Sequence, residues 1–354
     1  MEKTNSKRLL ILKVNKKDIL PFVLLIVMIV LMGGNSQNPD IINYIKGYNT
    51  TGYVVEGSYL YTLLKNLFVR ANISFEAFRL VLYIVGMFNI RYACKKMGAH
   101  TAITYICYGI ALMMIDATQT YNFFGMSLLL VGVAHLITDE SHNRIKYIIA
   151  ILLASGFHIV FLFYIPFVFV YRRTDSKQLL KVYIFTTLIV FLLSTVASVS
   201  GLAGIIQRVL TVTGLNTYQS YLSARTRYGH YYPMLVHLIS CAYSIYFYRE
   251  AEKNESGCKE LCRIILLLNL YGIFAFPLFR FQLTIARLTR NLEVLTFVSG
   301  IVFLKDQKSN NTRALLIIAL LILAGIMGYF TVYSDYQDSI VQPFWKHNWI
   351  LGRP

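Results

Sequence analysis

Apolar blocks long enough to cross a lipid bilayer recur from Ile19 to Val332, separated by short polar or basic stretches. Hydrocarbon offers the backbone no hydrogen-bond partners, so only helices and closed barrels can span it. The blocks lack the strict alternation of barrel strands. They predict an all-α, polytopic transmembrane bundle of about ten or eleven spans, one integral membrane domain over residues 1–354. Charged residues make up 14% of the 354 residues, well below the roughly 25% of soluble domains. The net charge of +17 would suggest nucleic acid in a soluble chain. Here most Lys and Arg fall in segments assigned to the cytoplasmic side, so topology accounts for the charge and no nucleic-acid partner is expected.

The basic tail, residues 1–18, is expected inside, followed by a retained first helix at Ile19–Met32. Residues 35–57 then form the first outside loop, with Asn-Pro-Asp and Asn-Thr-Thr-Gly as turn signals. Ser58–Val69 is short and amphipathic, suited to the outer interface. Phe75–Ala93 returns inward to Lys95 and Lys96, Thr101–Ala117 goes out, and Phe123–Ile137 comes back. Ile145–Tyr171 exceeds one crossing, yet basic residues flank both ends. Two short helices meeting near Ser155–His158, with His158 at the tip, satisfy the charge rule. One long tilted helix is the competing reading.

Leu179–Ser200 is expected to lead out to the longest outside loop, Gly201–Pro233, rich in tyrosine and carrying Arg225, Arg227 and His230. Met234–Tyr248 returns, Ile264–Phe279 goes out, Leu292–Leu304 comes in, and Ala314–Val332 leaves the tail 333–354 outside. Of the five cysteines none lies in a predicted outside loop, so no disulfide framework is expected. Cys258 and Cys262 lack the further ligands of a zinc site. The sequence carries no Walker loop, HExxH or GxSxG, and no metal or cofactor is called for.

The segment 280–291 and its edge, RFQLTIARLTRNLE, stands out because it places Arg280, Arg287 and Arg290 on the expected outer face. The charge rule does not explain arginines there. Guanidinium forks match phosphate oxygens, which points to an anionic ligand. The plain alternative is head-group snorkelling plus an Arg290–Glu293 pair at helical spacing. Tyrosines beside the basic Arg225/Arg227 loop suit sugar faces, or else form an interfacial belt. Asp40, Glu56 and His158 are the acid–base groups on the same face; His135 and His237 read as structural.

The order of these features resembles a known family. Asn38-Pro39-Asp40 with Tyr44, then Tyr48 and Glu56, Ser74-Phe75-x-x-Phe78, Gln119-x-x-Asn122-Phe123, Ala154-x-x-Phe157-His158 and Arg287-x-x-Arg290 resemble the EpsG family, relatives of the Wzy polymerases of O-antigen, capsule and exopolysaccharide. One departure stands before Asn122, where the family commonly has arginine and this chain has Tyr121. The resemblance implies polymerisation of undecaprenyl-diphosphate-linked oligosaccharides on the outer face of the bacterial cytoplasmic membrane. It implies a multi-pass protein with its N-terminus inside, working among membrane lipids with a flippase and a chain-length regulator as partners. Arg280, Arg287 and Arg290 would then hold diphosphate, with Arg225 and Arg227 as a second anion contact. His158 would be the first candidate base, with Glu56 and Asp40 behind it. Two other classes compete: a multispanning glycosyltransferase with a lipid-monophosphate donor, centred on Asp40, and, third, a transporter of lipid-linked glycans.

Overall fold

A computed structural model describes residues 16–50, 52–137, 142–173, 181, 184–189, 192, 204, 207–208, 211, 229–279 and 283–353. The expected span Leu179–Ser200 and loop Gly201–Pro233 fall mostly outside the described residues. Within them the chain is helical, and its only bridges of β type are the isolated pairs Asn35–Asn348 and Asn348–Arg353.

The helices are α1 (Lys16–Gly34), α2 (Ile41–Asn49), α3 (Tyr59–Arg70), α4 (Phe75–Lys96), α5 (Thr101–Ala111), α6 (Met113–Thr118), α7 (Thr120–Ile137), α8 (Asn143–Phe157) and α9 (Phe167–Arg173). They continue as α10 (Tyr231–Lys253), α11 (Lys259–Gly272), a short α12 (Arg287–Arg290), α13 (Glu293–Lys305) and α14 (Asn310–Gly328). Among the described residues, four helical stretches are long and apolar enough to cross a membrane: Phe75–Lys96, Thr120–Ile137, Lys259–Phe279 and Asn310–Tyr333. The outward faces are apolar too, as with Phe22 and Ile26 on α1, Val85 and Phe88 on α4, and Ile318 and Ile322 on α14. The protein is a helical membrane protein.

Polar contacts gather at two opposite ends of the bundle. At one, Asp18 lies 3.5 Å from Arg91 and 3.2 Å from Lys95, Lys305 donates to the Gly98 carbonyl, and Ser256 donates to Asp306. At the other, Arg79 donates to the Met32 carbonyl at 2.8 Å and Tyr83 donates to the Ala117 carbonyl at 2.9 Å. The C-terminal segment closes that second end. The Asn348 amide donates to Val30 O at 3.0 Å, and the Trp349 indole donates to Gly33 O at 3.2 Å. Gly33 O is one of the carbonyls that the last turn of α1 leaves without a helical partner.

Local chemistry sets the breaks. Ser74 caps α4 by accepting from the Ala77 amide, with Glu76 in its first turn and Lys95 and Lys96 in its last, the order the helix dipole favours. α8 stops at His158, whose backbone is extended. The chain then doubles back: the Tyr147 hydroxyl donates to the Tyr164 carbonyl at 2.7 Å, two residues that one straight helix would hold about 25 Å apart. A tight turn at Ile159–Tyr164 and α9 run antiparallel to α8 and to α11, where Tyr271 reaches Phe163 O and Arg263 reaches Tyr171 O.

The first loop differs from a simple turn-rich connection because α2 folds within it. Ile41, Tyr44 and Tyr48 recur at helical spacing, and this stripe packs against Tyr61, Phe75 and Phe78. α3, the amphipathic stretch, is helical as its pattern indicates. Its buried Lys65 donates to Gly47 O at 3.0 Å and Tyr53 O at 2.7 Å, tying the loop to the helix.

Close approach of α7 to the fold-back needs a residue without a side chain at Gly125, where an added Cβ would overlap the Phe161 ring. Gly125→Val should therefore destabilise the protein by about 1–3 kcal/mol through overpacking, read as an earlier thermal unfolding in detergent. Gly325→Ala, with open space at its Cβ, should leave the transition where it is.

Candidate functional site

Arg287 and Arg290 sit on α12, a single turn pinned from several directions. The Tyr164 hydroxyl donates to the Leu288 carbonyl. Leu288 and Leu292 are buried on its inner face. Asn291 and Asn122 exchange amide hydrogen bonds at 2.9 and 3.1 Å, both side chains buried. Each amide satisfies the other's donor and acceptor, which is the cheapest way to bury two of them. The pair fastens the start of α7 to the arginine turn.

The tip of the fold-back meets Arg287. Its Nη1 lies 2.7 Å from His158 Nε2, and its Nε donates to the Thr284 carbonyl at 2.9 Å. Guanidinium is a donor only, so Nε2 accepts and the imidazole is neutral with its proton on Nδ1. The Val160 amide, 3.5 Å from Nδ1, is too distant to compete. The next residue, Ile159, donates its amide to the Gly57 carbonyl at 2.8 Å. That bond sets the Glu56–Gly57 turn against the tip and brings Glu56, half-buried, to the border of the site.

Asn-Pro-Asp behaves as its residues suggest. The Asn38 side chain accepts from the Asp40 amide at 3.1 Å, a side-chain turn that leads into α2. Asp40 is half-buried. Burial pushes its carboxyl above the ordinary carboxylate value, and the nearby Arg287 guanidinium pulls it partly back. Asp40 and His158 thus both lie within reach of the same arginine.

Arg290 turns elsewhere. Its Nη2 donates to Gln119 Oε1 at the junction of α6 and α7. Asp116 and Glu293, both buried, lie within electrostatic reach of its guanidinium. The Tyr108 hydroxyl donates to Asp116 Oδ2 at 3.0 Å. The Arg290–Glu293 pair of the plain alternative is not hydrogen-bonded: Glu293 Oε2 and Arg290 Nε are both buried without a partner.

The residues that drew the resemblance therefore meet at one end of the bundle. A family model described as EpsG family matches residues 18–349. The chain belongs to the EpsG family. Membership supports a polysaccharide polymerase type of membrane protein with a glycosyltransferase-like role. No curated protein and no solved structure matches the chain.

Among the sequence-predicted residues of this EpsG family member, Asp40, Glu56, His158, Arg287 and Arg290 come together at the site end. Arg225, Arg227 and Arg280 lie outside the described residues. His230 is buried at the start of α10 with its ring against Tyr231. His237 is structural, its Nε2 2.7 Å from the Asn269 carbonyl. Tyr121, the departure from the family pattern, packs between Tyr44 and Tyr61, with ring centroids 4.7 and 4.4 Å away. An arginine there would have to enter an aromatic cluster, and in this chain the aromatic ring closes it. Sequence reasoning singled out Gln119 and Asn122 only as parts of a motif, and it missed Asn291, Asp116 and Glu293 as site residues. Helical spacing from Arg290 and the polar content of 116–122 were the available signals.

Breaking the amide pair on one side should be costly. Asn122→Leu strands the Asn291 amide in a dry interior, which should cost about 1–3 kcal/mol. Asn122→Leu with Asn291→Leu should recover part of that loss. A double-mutant cycle of thermal unfolding reads the coupling, and strict additivity would contradict the pairing.

Proposed function

We propose that this protein joins undecaprenyl-diphosphate-linked oligosaccharide repeat units at the outer face of the bacterial cytoplasmic membrane. The observation that carries the reading is a guanidinium, Arg287, hydrogen-bonded to the His158 ring, with the half-buried Asp40 carboxyl within its electrostatic reach. In this reading the helical legs are the ten or eleven crossings expected from sequence, with the fold-back at His158 counted as two. Arg91, Lys95 and Lys305 gather at the opposite end, which by the positive-inside rule supports a cytoplasmic N-terminus and an outward-facing site.

The chemistry needs two things. An acceptor sugar hydroxyl attacks the anomeric carbon of the growing chain; the new glycosidic bond forms as the bond to diphosphate breaks. Negative charge grows on the leaving diphosphate, and Arg287 stabilises it without a metal. The hydroxyl proton goes to a base within reach, for which Asp40 is the better group. His158, the first base by sequence, has its lone pair occupied by Arg287 and acts by aiming that arginine. Glu56 borders the acceptor side. The second reading, a glycosyltransferase with a lipid-monophosphate donor, draws on the same Asp40 placement in the first loop.

Deletion in cells carrying the rest of the pathway, followed by sizing of lipid-linked glycans, separates the two. Single repeat units that persist while polymer vanishes, with Arg287→Ala failing to restore it, fit a polymerase. A repeat unit short by one sugar would instead assign the monophosphate-donor role. Asp40 also has a pH signature. Activity should fall with acidification through a value above the ordinary carboxylate range, because the carboxylate is the working form. Arg287→Gln removes the pull that lowers Asp40, so the residual activity should lose its acid limb at higher pH than wild type. An unmoved limb in a pH–rate profile would take Asp40 out of the base role.

A further inference from the structure

The first loop and the start of α7 meet through tyrosines, and these differ in what they do. Asp40 and Tyr44 stand one helical turn apart, the Tyr44 amide donating to the Asp40 carbonyl at 3.1 Å, which sets both side chains on one face of α2. Tyr121 lies in the first turn of α7 between Gln119, which accepts from Arg290, and Asn122, which pairs with Asn291. Its ring centroid is 4.7 Å from that of Tyr44. Asp40 lies within electrostatic reach of both phenols, and Arg287 within reach of Tyr44.

Two tyrosines of this cluster are built into the protein. Tyr48 is 4% exposed, and its hydroxyl donates to the Ile73 carbonyl at 2.7 Å. Tyr61 is 3% exposed and lies within reach of Tyr48 and Tyr83. Tyr44 and Tyr121 are only half-buried. Among the described residues, neither of their hydroxyls has a hydrogen-bond partner in the protein. Packing alone asks for the ring and gains nothing from such an oxygen, because an unpaired hydroxyl against a packed surface costs free energy. A polyol uses both parts. The C–H groups of a sugar lie well on the negative face of an aromatic ring, and each phenol can donate once and accept twice. Tyrosine also supplies this contact area at low cost in side-chain entropy.

We infer that Tyr44 and Tyr121 are the platform on which the acceptor sugar lies, holding its attacking hydroxyl beside Asp40. This rests on the reading of the protein as a polymerase of lipid-linked oligosaccharides, and it adds the residues that take the sugar rather than the phosphate. Tyr61, with its ring centroid 4.4 Å from Tyr121, and Phe78, 5.4 Å from Tyr61, back the platform and keep the Tyr121 ring in place.

The test uses the full chain in nanodiscs and two probes. One is the lipid-free oligosaccharide released by mild acid from the lipid-linked glycan of the deletion strain; the other is undecaprenyl diphosphate. Tyr44→Phe with Tyr121→Phe keeps both rings and removes both hydroxyls. This double variant should melt with wild type and hold the diphosphate as wild type does. It should bind the oligosaccharide about tenfold or more weakly, as the loss of two neutral hydrogen bonds implies. Tyr48→Phe should do the reverse, melting earlier while it keeps the oligosaccharide affinity. A double variant that binds the oligosaccharide like wild type would overturn the inference and leave the polymerase reading in place. So would an earlier melt of the double variant, which would show that the two hydroxyls are bonded inside the protein, and so would a wild type that holds the diphosphate but not the oligosaccharide. Wild type that binds neither probe is a separate result, and it would sink the underlying reading together with the inference.

Discussion

A guanidinium beside a membrane interior must be given acceptors, and the arrangement around Arg287 follows from that demand. His158 supplies a neutral nitrogen at 2.7 Å and Thr284 a carbonyl at 2.9 Å. To deliver the nitrogen, α8 must end at His158 and the chain must turn back. To receive it, α12 must be held still, which Tyr164 and the Asn122–Asn291 pair do. The arginine turn is thus joined to the fold-back through Arg287 and Tyr164 and to the start of α7 through the Asn122–Asn291 pair, while Ile159 ties the first loop to the same fold-back. An interaction that long-range is worth more in register than in raw stability.

The interior is built by the same economy. Buried polar groups sit where they can satisfy one another across helices. Asn269 donates to Ser244 at 3.0 Å and to Thr296 at 3.1 Å, joining α10, α11 and α13. Lipid gives helices no hydrophobic reason to associate, so close packing and such contacts do the joining. Strongly charged pairs are kept to the basic end, where Asp18 meets Arg91 and Lys95. At the opposite end the charges are shared among elements, with Arg287 and Arg290 in the fields of Asp40, Asp116 and Glu293.

Much of this was legible in the sequence. The apolar blocks fix a helical membrane protein, because backbone satisfaction allows little else. Basic residues on both sides of Ile145–Tyr171 point to a reversal, and the break falls at His158. Arg287 and Arg290 stand out in the sequence because the expected topology puts them on the outer face, where the charge rule does not call for arginines. Other features were hidden. The helix Ile41–Asn49 forms because Tyr48 and Ile41 find Phe75 and Phe78, a contact that local turn signals cannot report. Asn291, Asp116 and Glu293 acquire meaning only from partners far along the chain. The C-terminal tail reads only as an outside segment, and its docking, with Asn348 buried against the end of α1, is not visible in the sequence. Arg225, Arg227 and Arg280 lie outside the described residues, so their part in the site stays an expectation from the sequence.

The account turns on His158 as an acceptor that aims Arg287. The direct measurement is polymer formation by purified His158→Gln and His158→Ala proteins, supplied with lipid-linked repeat units and compared at equal thermal stability. Glutamine keeps an acceptor oxygen but cannot serve as a base. The account predicts that His158→Gln retains activity within about tenfold of wild type, while His158→Ala falls much further, as expected when a positioned group is lost. Equal loss in both, by about a hundredfold or more, is the behaviour of a missing general base and would contradict it.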